Sequence, residues 1–91
     1  MNTFTKNELV SAVRRDIMGE LEAINQYQSH IDQTDNVLAK KVWADIRNEE
    51  QVHVGELLTL LAILDPEMAT SIEKGENEVR ELLGPQNRYN D

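Results

Sequence analysis

The chain contains no cysteine, which excludes disulfide staples and thiolate metal sites alike. Basic residues are scarce: 9 Lys plus Arg stand against 17 Asp plus Glu, for a formal net charge of −8. That balance opposes nucleic-acid binding, which needs a basic footprint, and favours attraction of cations. No apolar run approaches the roughly 18 residues that a membrane span needs. The stretch from Met1 to Glu8 lacks the charged-then-apolar layout of a secretory signal, so a cytoplasmic location is expected. At 91 residues the expectation is one small domain over 1–91. A chain of this size buries a modest fraction of its surface and is often marginal alone.

What is present is helical periodicity. Thr5 and Glu8 have the spacing of a capping box, in which each side chain satisfies the other residue's amide. A first helix is predicted from there to about residue 32. Its apolar stripe is Val13, Ile17, Ile24, Tyr27 and Ile31, flanked by Leu9 and Leu21, with Glu20 in its middle. Residues 32–36 are all polar and read as a short turn, with Thr34 or Asp35 as the next N-cap. A turn this short forces an antiparallel hairpin. The second helix is predicted over about 36–64, with the stripe Val42, Trp43, Ile46, Val54, Leu57, Leu61 and Leu64, interrupted by Glu50 and His53. Its last two turns are apolar nearly all round, a pattern that expects burial on more than one side and therefore another chain. Asp65-Pro66 opens a third helix over about 66–83. Gly75 is expected to kink or break it. Gly84-Pro85 stops it, and 86–91 is a polar tail.

The chemistry concentrates on Glu20, Glu50 and His53. Residues three apart on a helix are neighbours, so Glu50 and His53 form a Glu-x-x-His pair on an otherwise apolar face. A carboxylate and an imidazole there need a partner. Glu-x-x-His on one helix with a Glu from another is half of the ligand set of di-iron carboxylate bundles. The pair alone recurs by chance, and a buried ion pair is its bland reading. Counting back from the turn, however, Glu20 and Glu50 fall at nearly the same height of the hairpin. Two carboxylates facing across a dry seam repel unless a cation or a proton lies between them. Tyr27 reads as a core aromatic or as a hydrogen-bonding support of a ligand carboxylate. Trp43 reads as a packing residue and His30 as a surface histidine. Glu22 and Glu49 read as solvated acids or as a low-affinity cation track. Gly19 and Gly55 either admit a neighbouring helix or carry no role.

Over Glu20-Leu21-Glu22-Ala23-Ile24-Asn25-Gln26-Tyr27 and Arg47-Asn48-Glu49-Glu50-Gln51-Val52-His53, the chain resembles the encapsulated ferritin family. These are the half-length members of the ferritin-like superfamily, and the resemblance covers roughly residues 8–84. It implies that Glu20, Glu50 and His53 are ferroxidase ligands, with Tyr27 standing just behind them. It also implies a homodimer that forms a four-helix bundle around a di-iron site, and closure of dimers into a ring, typically of ten chains, inside an encapsulin shell. Two features depart from the family pattern. Family members often carry an acid immediately before the first ligand Glu and an aromatic before the Tyr, which with the position of Glu22 line an outer iron-uptake site. Here those positions are Gly19 and Gln26, and Glu22 alone remains. The tail at 86–91 also lacks the apolar shell-docking character of separate cargo proteins. The ferritin domain is then either part of a longer chain or reaches its compartment differently.

The expectation is therefore an all-α hairpin plus a third helix that carries ferroxidase and iron-storage chemistry. A peroxide-reducing di-iron protein of rubrerythrin type and a non-catalytic, metal-stapled dimer are the alternatives. Hard oxygen donors with imidazole suit iron or manganese, and zinc would also bind.

Overall fold

The computed structural model describes residues 3–84. Within them the chain forms three helices: α1 over Lys6–Asp32, α2 over Val37–Leu64 and α3 over Pro66–Leu83. No strand occurs among the described residues.

Each helix start has a named cause. At α1 the Glu8 amide donates to Thr5 Oγ1 at 3.1 Å, and the Thr5 amide donates to Glu8 Oε1 at 2.8 Å, which completes the capping box. The hydrogen bond from the Thr5 backbone, then that from its side chain, holds the Glu8 carboxyl below its ordinary value. The stabilisation from this contact is present above the ordinary carboxylate range and is lost as pH falls through the lowered pKa.

At α2 the cap is Asn36, not Thr34 or Asp35, and the helix begins at Val37. Asn36 Oδ1 accepts the Ala39 amide at 2.9 Å, while the Thr34 hydroxyl accepts the Asn36 amide at 3.1 Å. Thr34 thus shapes the turn and leaves the capping to Asn36. At α3, Asp65 Oδ1 accepts the Met68 amide at 3.1 Å, with Pro66 in the first turn. The other oxygen of Asp65 pairs with Arg14 at 3.0 Å and so ties the start of α3 to α1.

Gly75 does not interrupt α3, which is continuous to Leu83. A single glycine costs a helix about 1 kcal/mol relative to alanine, too little to break an established ladder of hydrogen bonds. Gly84 ends the helix with φ 79, the left-handed backbone that glycine adopts freely. Pro85 and the tail at 86–91 lie outside the described residues.

Side-chain burial is sparse. Val10, Val13 and Leu61 form the buried cluster, joined by Ile17, Leu64 and Met68. It lies where the open end of the hairpin meets the first turn of α3. Elsewhere α1 and α2 bury one stripe each against the other. The radius of gyration is 17.5 Å, against about 12 Å for a compact domain of this length. The shortest dimension is 15 Å, close to the depth of a single helical layer. The all-round apolar end of α2 leaves Leu58, Leu60 and Ile63 exposed. On α3, Ile72, Val79 and Leu82 are exposed as well.

Candidate metal centre

Glu20 lies near the middle of α1, and Glu50 and His53 lie one turn apart near the middle of α2. The antiparallel hairpin brings the three to one height. His53 Nδ1 is 3.7 Å from Glu20 Oε1 and 3.8 Å from Glu50 Oε2. One donor atom from each residue lies within 4.8 Å of the others, and this is the one such trio of His, Cys, Asp or Glu among the described residues. The Glu20 and Glu50 side chains are mostly covered, at 25% and 19% exposure, while His53 is 46% exposed. The carboxylates therefore sit in the seam and the imidazole stands at its open rim.

Distances of 3.7 and 3.8 Å are too long for hydrogen bonds. They suit two donors that share one ion, since ligand distances of about 2.0–2.2 Å place such donors no more than about 4.4 Å apart. Two hard oxygens and one imidazole, with no sulfur, fit iron, manganese or zinc. The trio supplies three donor side chains and leaves its His53 side uncovered by its own chain.

The remaining candidates separate from the trio. Glu22 and Glu49 are exposed and outside it. Gly19 and Gln26 are exposed too, and a Cβ on Gly19 or Gly55 would meet nothing within 4 Å of its own chain. Tyr27 is half-buried, and its ring meets His30 edge-on at 6.3 Å. His30 is not a surface histidine. It is partly buried, lies 5.0 Å from the Trp43 ring, and has a buried Nδ1 with no hydrogen-bond partner. Tyr27 and His30 come from α1 and Trp43 from α2, so the trio of rings forms only once the hairpin closes.

Sequence reasoning missed a polar relay across the hairpin. Arg47 Nη1 donates to Gln28 Oε1 at 2.7 Å, and Gln28 Nε2 donates to Asp32 Oδ1 at 2.9 Å. The i,i+4 spacing of Gln28 and Asp32 was the one signal available. The contact from α1 to Arg47 depends on hairpin register.

No protein-family model matches the sequence. The chain is 40% identical over 88 residues to a ferritin-like–encapsulin shell fusion protein of Pyrococcus furiosus, covering 97% of this chain and 26% of that protein. It is 40% identical over 76 residues to the encapsulin nanocompartment cargo protein EncC of Myxococcus xanthus, covering 84% of this chain and 58% of that protein. The chain thus spans about a quarter of one curated relative and rather more than half of the other. Its fold superposes on the crystal structure of the encapsulated ferritin domain from Pyrococcus furiosus with a TM-score of 0.88 at 38% identity, over 96% of this chain and 89% of that one.

Proposed function

The chain belongs to the encapsulated ferritin family, and on that premise we propose that it is a ferroxidase that oxidises Fe(II) for storage as mineral. The observation that carries this reading is the convergence of Glu20, Glu50 and His53 at the seam, with His53 at the rim. Fe(II) is the substrate, and its oxidation delivers electrons to O₂ or peroxide. Two copies that meet rim to rim would contribute a Glu and a Glu-x-x-His pair each, which is the donor set of a di-iron carboxylate bundle. The homodimer is then the working unit.

Each residue has a part in that site. Glu20 and Glu50 bring negative charge and oxygen donors that bind and bridge cations. Their mutual repulsion in the seam is relieved when cations bind. His53 brings one neutral nitrogen per chain and, being half-exposed, accepts an ion arriving from solvent. Tyr27, two turns along α1 from Glu20, would support the liganded carboxylates from behind. Glu22 and Glu49, on the acidic exterior, raise the local concentration of Fe(II).

The thin shape and the exposed Ile72, Val79 and Leu82 of α3 support further association of dimers into a ring. The naming of the two relatives supports an encapsulin shell as partner and the lumen of that nanocompartment as location. Aerobic addition of Fe(II), followed by near-ultraviolet absorbance of Fe(III), tests the activity. A fast phase that saturates near one iron per chain, then slow mineral growth, is expected. Continuous peroxide turnover without mineral would favour a rubrerythrin-type reductase. Inertness of the Fe(II)-loaded protein would leave only a structural metal site.

A further inference from the structure

Arg47 stands one turn before Glu50 on α2. Residues three apart on a helix are within side-chain reach, and an arginine is charged at every physiological pH. An arginine in this position is therefore poised to form an ion pair with Glu50, whose side chain is only 19% exposed. Such a pair would compete directly with a divalent cation for the carboxylate.

The structure shows the guanidinium turned elsewhere. Its Nη1 donates to Gln28 Oε1 of α1 at 2.7 Å, in a part-buried contact. Its Nε and Nη2 donate to Asn48 Oδ1 at 3.4 and 3.1 Å. The Gln28 amide is itself oriented, because its Nε2 donates to Asp32 Oδ1 at 2.9 Å and so presents Oε1 to Arg47. Among the ion pairs of the described residues, Glu50 is matched with His53 and not with Arg47.

We propose that Gln28 is a positioning residue that latches Arg47 away from Glu50 and thereby sets the affinity of the site for divalent cations. The inference rests on the metal reading of Glu20, Glu50 and His53. The relay from Asp32 through Gln28 to Arg47 spans both helices, so it forms only when the hairpin is in register. Loss of that relay frees the guanidinium to compete with the cation for Glu50.

Co(II) binding, read from its visible absorbance, tests this with Gln28→Leu, Gln28→Ala, Arg47→Gln and the double variant Q28L/R47Q. Far-ultraviolet circular dichroism checks that each variant is folded. Both Gln28 variants should bind Co(II) about tenfold or more weakly, on the scale of changes that act through a ligand's neighbours. Arg47→Gln should bind as tightly as the wild type or more tightly. The double variant should return to the affinity of Arg47→Gln, because no cation remains to be released. A purely structural role for Gln28 predicts that the double variant stays as weak as Q28L, and that result would overturn the proposal. Unchanged affinity in a folded Q28L or Q28A would overturn it too, as would weakened binding by Arg47→Gln alone. Failure of the wild type to bind Co(II) is a distinct result, and it would contradict the metal reading beneath the proposal.

Discussion

His53 Nδ1 faces Glu20 Oε1 across the seam between α1 and α2 at 3.7 Å. The two residues come from different helices, and closure of the hairpin brings them to one height. The contact sits at the uncovered rim, while the carboxylate of Glu50 lies more deeply in the seam. In the proposed function this trio is half of a site that a second copy completes.

Glu20→Ala, Glu50→Ala and His53→Ala should each abolish the fast phase of Fe(II) oxidation. In a two-fold site one substitution removes two donors. Without metal the glutamate variants should melt at the wild-type temperature or above it, because repulsion in the seam is relieved. A role limited to ion pairing predicts the reverse, a lowered apo melting temperature with oxidation retained. Thermal melts with and without Fe(II), beside stopped-flow oxidation, separate the two.

If two chains share the proposed site, metal should drive association, since a dissociated chain would hold only half of the donors. At free metal about 100-fold above Kd, the linkage adds about 2.7 kcal/mol. Sedimentation velocity should show the dimer fraction rising with Fe(II) under anaerobic conditions. A stable apo monomer indifferent to metal would be incompatible with a shared site.

Glu22→Ala and Glu49→Ala should leave the centre intact. Both residues are exposed and outside the trio. Oxidation at saturating iron should be unchanged, and the rate at low iron should fall, with the deficit vanishing at high salt as the surface field is screened. Loss of oxidation at saturating iron in Glu22→Ala would place the site on the wrong face of α1.

Gly75→Ala should stabilise the protein by about 0.5–1 kcal/mol, the ordinary gain within a helix. Its backbone is not in the left-handed region, and a Cβ there meets nothing within 4 Å. Chemical denaturation reads the change. Destabilisation would mean that another copy packs against the glycine in the assembly.

Local chemistry was legible in the sequence at several places where both partners lie on one helix or at its cap. Thr5 with Glu8, Asp65 with Pro66, and the Glu50–His53 spacing are of this kind. The common height of Glu20 and Glu50 followed from counting through one short turn. The N-cap of α2 was not legible, because Thr34, Asp35 and Asn36 all have capping side chains and the backbone of the turn selects among them. Gly75 misled because propensity is a small term beside an established helix. His30 misled because its surroundings, Tyr27 and Trp43, come from two helices, and periodicity along one helix does not see across the hairpin. The Arg47–Gln28 contact was hidden for the same reason.

The most direct test of the central claim is anomalous scattering at the iron edge from crystals loaded with Fe(II) under anaerobic conditions. The account predicts paired iron peaks at an interface between two copies, each bounded by Glu20, Glu50 and His53, and their loss in crystals of the His53→Ala variant. Iron bound at some other surface, or the Glu20–Glu50–His53 trio left free of iron in a well-ordered dimer, would contradict it.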